Sequence, residues 1–145
     1  MTIELLIQTA TLLSVLVGVG GLVFGILAYQ RQMNAQLFLE YTNRYEQVMA
    51  SFPEDAIKWR LDSEENLPPE SQKLTYAVLR YLNLCSEEYY LQKTRYLSSK
   101  IWAIWEDELK KTLANELYRR EWPKVKNEFS SYLSFRNYVD EIHSK

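Results

Sequence analysis

The residues whose types and spacing could do chemistry lie near the end of the chain. Arg136 and His143, in Arg136-Asn-Tyr-Val-Asp-Glu-Ile-His143, stand seven positions apart, and His143 is the single histidine. On a helix that spacing puts both side chains on one face. Arginine would stabilise charge developing on a phosphate there, and histidine would move the proton. The competing reading is a solvated histidine at a fraying helix end.

Glu87-Glu88 and Glu106-Asp107-Glu108 are the notable acidic groups. Paired carboxylates can act as acid and base or hold a divalent cation. No histidine, cysteine or further acid stands at ligand spacing, so both read as exposed acids beside Lys93, Arg95, Lys110 and Lys111. Cys85 falls on an apolar stripe without a partner histidine, and reads as a small core residue. A phosphate-cradling glycine loop is excluded from the polar part, because all four glycines lie within one apolar stretch. No cofactor and no metal are therefore expected. Lys110, Lys111, Arg119, Arg120, Lys124 and Lys126, with Tyr118 and Trp122 between, suit RNA or anionic lipid headgroups. Glu116, Glu121 and Glu128 interrupt the run, which predicts a mixed solvated surface.

The element that must position everything else is Leu5 to Tyr29, 25 residues without a charge. Roughly 20 apolar residues cross a hydrocarbon core of about 30 Å as a helix. Thr11, Ser14, Gly18, Gly21, Gly25 and Ala28 follow one another at steps of 3, 4, 3, 4 and 3. They make a heptad seam of small side chains, which Glu4 and Gln32 extend at its two ends. A seven-residue repeat favours a left-handed supercoil. Small residues let backbones approach where hydrophobicity cannot drive association, so the seam predicts self-association of the span. In a ring of helices the same stripe would line a narrow lumen with Glu4 and Gln32 at its mouths.

The chain has 145 residues and a net charge of −2, so nothing in its charge balance calls for nucleic acid. The part after the span is long enough for one small domain. Its 11 tyrosines, 5 phenylalanines and 4 tryptophans suit an aromatic helical core, and a lone cysteine fits a reducing compartment. Met1-Thr-Ile-Glu4 has no basic residue, which argues for a retained span rather than a signal peptide. Arg31 after the span and Glu4 before it predict the N-terminus outside and the domain in the cytoplasm. The expected organisation is a transmembrane helix over 1–31 and a cytoplasmic helical domain over 32–145.

Neither glycine nor proline interrupts residues 26–52, so one helix is expected from about residue 3 to Phe52, stopped by Pro53. Leu37, Tyr41, Tyr45, Val48 and Phe52 would be its inner stripe. A rise of 1.5 Å per residue makes that roughly 75 Å, a rod shared by span and domain. A short helix should follow to about Leu61, then a polar loop from Asp62 to Pro69. A long helix is expected over Glu70–Thr94, with Leu74, Ala77, Val78, Tyr81, Leu82, Cys85 and Tyr89 inward. The next, capped by Ser98 or Ser99, should reach Leu113 and turn Ile101, Trp102, Ile104, Trp105 and Leu109 inward. Asn115 is expected to cap a further helix that Pro123 kinks or splits. Val125, Phe129, Tyr132 and Leu133 should continue the apolar face, and Ser134 should cap a last helix to His143. No strand period appears, and the fold class is all-α.

Phe38-LEYTNRYEQVMASFP, Tyr81-LNLCSEEYYLQKTRYLSSKIWAIWEDELKKTL and Phe135-RNYVDEI resemble a bacterial domain-of-unknown-function family of single-span membrane proteins with a cytoplasmic helical domain. The layout is similar to small CRISPR-associated membrane proteins of type VI-B systems, which implies pore assembly and antiviral defence. Arg136 and His143 fit the Arg-x(4–6)-His pattern of HEPN-type ribonucleases, a resemblance that implies an RNA substrate cut across a dimer. The expected function is a bacterial inner-membrane protein that self-assembles through its span as a homo-oligomer. The alternatives are a membrane-tethered adaptor with a protein partner and a HEPN-like nuclease.

Overall fold

The computed structural model describes residues 2–61 and 66–145. Its elements are α1 (Ile3–Met49), α2 (Glu54–Leu61), α3 (Gln72–Lys93), α4 (Ser99–Ala114), α5 (Glu116–Val125), a 3-10 turn (Lys126–Phe129) and α6 (Leu133–His143). No strand occurs among the described residues, so the fold is all-α. The chain divides into two compact units, Met1–Leu37 and Phe38–Lys145, and α1 contributes to both.

The first unit is one helix, long and apolar enough to cross a membrane, and every described side chain of its apolar run is exposed. Polar side chains inside the run bond to their own helix. Thr11 Oγ1 donates to the Ile7 carbonyl at 2.8 Å and Ser14 Oγ to the Ala10 carbonyl at 2.9 Å. Those bonds satisfy the hydroxyls without water, as a hydrocarbon core would require.

The second unit is built on α3, packed against α4 and α5, with α6 against α4. All seven residues expected to face inward from α3 are buried, and Leu84 joins them. Ser71 caps the helix, accepting from Leu74 N at 3.1 Å, and Ser98 does the same for α4, accepting from Ile101 N at 3.4 Å. The centre is aromatic. The Tyr89 ring lies 4.8 Å from Tyr138, 5.9 Å from Phe135 and 6.2 Å from Trp102 between ring centres. Such tilted pairs add to the burial of large apolar area.

Several expectations change. Helix α1 ends at Met49 rather than Phe52, because Ser51 N and Phe52 N turn back onto carbonyls three residues earlier ahead of Pro53. The Asp62–Pro69 loop is described only from Asn66 onward; Asp62 to Glu65 lie outside the described residues. Pro123 does not split its helix. It sits in the last turn of α5, where loss of its donor is followed within three residues by the 3-10 turn. Asn115 has extended backbone at the start of α5 but makes no side-chain cap bond. Tyr132, not Ser134, stands at the cap position of α6. Ile104 and Leu133, expected inside, are 62% and 59% exposed. Each shares a helix with a better-covered stripe, and no neighbouring element reaches it.

Candidate functional site

Within the Phe38–Lys145 unit a cavity of about 260 Å³ opens among the C-terminal part of α1, α2, α3 and α4. Its walls are rings: Tyr41 and Tyr45 from α1, Tyr81 from α3 and Trp105 from α4. These positions follow from helical period, since 41 and 45 are one turn apart and Tyr81 lies on the inner stripe of α3. Trp105 is half-buried rather than core, stacked on Phe38 at 6.1 Å and tilted against Tyr41 at 5.4 Å. Glu88 and Glu108 bring carboxyl groups to the cavity and Arg60 a guanidinium.

The adjacent acids Glu87 and Glu88 have opposite surroundings, which corrects their reading as a solvated pair. Glu87 is clasped by the fork of Arg44, whose Nη1 bonds Oε2 and whose Nη2 donates to Oε1 at 2.9 Å. Tyr41 also donates to Glu87, at 3.3 Å. The Arg44 bond holds Glu87 below the ordinary carboxylate range. Glu88 is half-buried, and desolvation pushes its carboxyl up to about 8, with the neighbouring Glu87 charge adding to the rise. The charge of Arg44 pulls it back only in part. Burial beside Glu87 likewise raises the Tyr41 hydroxyl to about 12. The signal for Glu88 was in the sequence: 81, 85 and 88 continue the buried stripe of α3.

The acids of α4 have separate tasks. Glu106 pairs with Lys110 at 2.8 Å, Asp107 with Lys111 at 2.6 Å, and Glu108 faces the cavity. Among the described residues no three His, Cys, Asp or Glu side chains converge as a metal would require. Cys85 is fully buried and its thiol is pushed up by burial, which suppresses the thiolate a nucleophile needs.

His143 closes α6 half-buried, with Nε2 2.9 Å from the Leu113 carbonyl and its ring edge-on to Trp122. Burial lowers its pKa, so the ring is held neutral while it donates to that carbonyl. Arg136 lies in the first turn of the same helix, half-buried and roughly 10 Å away along the axis. His143 therefore has an occupation within one chain, tying α6 to α4.

Five of the six residues of the basic region make internal bonds. Arg119 donates to the Ala114 and His143 carbonyls, and Arg120 to the Pro68 carbonyl at 2.7 Å. Glu121, expected on a solvated surface, is 0% exposed. It accepts from Thr75 at 2.8 Å and from Arg120 Nε and Lys124 Nζ at 3.0 Å each, while Lys124 also reaches Glu70. This network locks α5 to α3 and to the segment before it. Tyr118 and Trp122 are buried and offer no stacking face.

The seam residues Glu4, Thr11, Ser14, Gly18, Gly21, Gly25, Ala28 and Gln32 are all exposed. A methyl added at Gly18, Gly20, Gly21 or Gly25 would meet nothing within 4 Å. Comparison of the chain with protein-family models, curated proteins and solved structures gives no match. Fold and site thus define a class: an all-α domain with an aromatic, acid-bearing cavity, on a chain whose first helix can cross a membrane.

Proposed function

We propose that this is a single-span membrane protein that self-associates through the small-residue seam of α1 and holds its helical domain in the cytoplasm of a bacterial cell. The observation that carries the reading is the run of six small side chains at successive heptad positions, open along its length while the other faces are bulky. In a bilayer such a stripe gains close packing against a second helix, whereas a lone anchor gains nothing from it. Thr11 and Ser14 bond to their own carbonyls, which suits a dry helix contact better than a wet lumen. Glu4 and Gln32 at the seam ends favour a ring, the arrangement a pore requires. Arg31, Glu4 and the single free thiol support the cytoplasmic orientation.

The test is the stoichiometry of the full chain in detergent, by light scattering or native mass spectrometry. Wild type is expected as a defined oligomer and the Gly18→Leu/Gly21→Leu double variant as a monomer. Both positions are unobstructed in the single chain, so the change reads assembly rather than folding. A double variant that keeps its oligomeric size overturns the proposal and leaves the adaptor reading ahead.

A further inference from the structure

We propose that the cavity among α1, α2, α3 and α4 binds an organic cation, an alkylammonium or guanidinium group. Ring faces carry negative charge density that attracts a cation within about 6 Å, and four rings line this cavity. The chain already uses two of these rings in this way, and one of them holds the Arg44 guanidinium 5.1 Å over Tyr41. The Arg60 guanidinium stands 5.8 Å over Tyr45 at the cavity and donates to the Tyr45 hydroxyl at 2.7 Å.

The carboxyls decide the sign of the guest. Glu88 is half-buried, lines the cavity, and makes no hydrogen bond or ion pair among the described residues. A carboxylate drawn partly out of water gains from a cation, which supplies both a donor and a charge. Glu108 stands at the same cavity, exposed toward solvent. The other charges facing Glu88 balance to the same end. On α1, Arg44 is committed to Glu87 of α3, and each neutralises the other. Once Glu88 is ionised, Arg60 of α2 opposes two acids, so one cation completes the balance. Burial raises the hydroxyls of Tyr41 and Tyr81, which therefore stay neutral near neutral pH and act as walls. The volume suits a group of side-chain size rather than a whole nucleotide.

Two sources carry this chemistry: a free small amine, and a lysine or arginine side chain of another polypeptide. The experiment titrates the full chain in maltoside micelles with tetramethylammonium, butylammonium, butylguanidinium and the uncharged isostere 3,3-dimethylbutanol. Binding is followed by tryptophan emission and ligand-observed NMR. The cations should bind saturably and the neutral alcohol at least about tenfold more weakly. Affinity for the cations should tighten from about pH 6 to pH 9, as Glu88 gives up its proton. Glu88→Gln should weaken cation binding at least about tenfold and flatten that pH dependence. Glu108→Gln, at an exposed position, should weaken it severalfold and serves where Glu88→Gln does not fold. A blocked Gly-Lys-Gly peptide that binds as tightly as butylammonium supports a polypeptide source, and binding of the free amines alone supports a small molecule. Equal affinity for alcohol and ammonium overturns the proposal, as does the absence of saturable binding by any cation at millimolar concentration.

Discussion

Two neighbouring glutamates illustrate how much one position along a helix decides. Glu87 turns toward Arg44 and is ionised; Glu88 turns toward the rings and resists ionisation. The ordinary carboxyl value of 4.5 applies to Glu88 in the unfolded chain, against about 8 in the folded one. Between those values the folded chain keeps a proton that the unfolded chain releases, so the stability from Glu88 is complete below the lower value and is lost as pH rises toward the upper. Calorimetric melts of wild type and Glu88→Gln should therefore converge at acid pH. Above pH 8 the variant should be more stable by about 1–3 kcal/mol. A variant with the same pH profile as wild type removes Glu88 from the buried face. The tryptophans of α4 offer a second comparison. Trp102 is buried against Tyr89, whereas Trp105 has one face on Phe38 and Tyr41 and the other on the cavity. Trp102→Ala should cost about 3–5 kcal/mol and Trp105→Ala about 1–3 kcal/mol, read from urea melts. The reverse order would mean that the cavity wall, not the Tyr89 cluster, is the better-packed end of α4.

At the scale of elements, the glycine distribution has a cost in the domain. Helix α3 ends in a left-handed turn: Tyr96 N bonds the Leu91 carbonyl and Arg95 N the Gln92 carbonyl, with Arg95 at φ 62°. That closure favours glycine at the position held by Arg95, since a Cβ there costs about 1–2 kcal/mol. Arg95→Gly should raise stability by about 0.5–1 kcal/mol, the strain relieved less the entropy glycine adds to the unfolded chain. An unchanged or lower melting temperature would show that the Arg95 side chain contributes more than its backbone costs. Helices of this kind were legible because period and punctuation agree: the α3 stripe, Ser71 and Ser98 ahead of their helices, Pro53 after α1. What stayed hidden depends on partners. Ile104 and Leu133 have the right spacing to be inside, yet no element covers them. Glu121 has the wrong polarity, yet Thr75, Arg120 and Lys124 meet its charge. Glu88 sat on the stripe in full view, and its charge disguised it. The cavity was illegible altogether, since its rings come from three helices far apart in sequence.

At the scale of the molecule, the two units divide the physical work. Residues of the apolar run are all exposed and add nothing to the core, while the 38–145 unit buries its own cluster from Phe52 to Ile142. The stability of the domain should therefore not depend on the span. The fragment Gln32–Lys145 keeps the part of α1 that carries Tyr41 and Tyr45, and should fold with the far-UV spectrum of an all-α domain. If the seam drives assembly, the fragment should be monomeric by light scattering where the full chain in detergent is oligomeric. The domain has exposed apolar side chains of its own, Phe38, Leu39, Ile104 and Leu133 among them, scattered over three helices. Single exposed residues of that sort are ordinary on a soluble surface and do not amount to an interface. A fragment that remains oligomeric at the stoichiometry of the full chain would move assembly from the span to that surface. The small-residue heptads would then be a lipid-facing accident of composition. A monomeric fragment beside an oligomeric full chain places the association in the bilayer, where leucine at Gly18 and Gly21 is the sharper probe of the same contact.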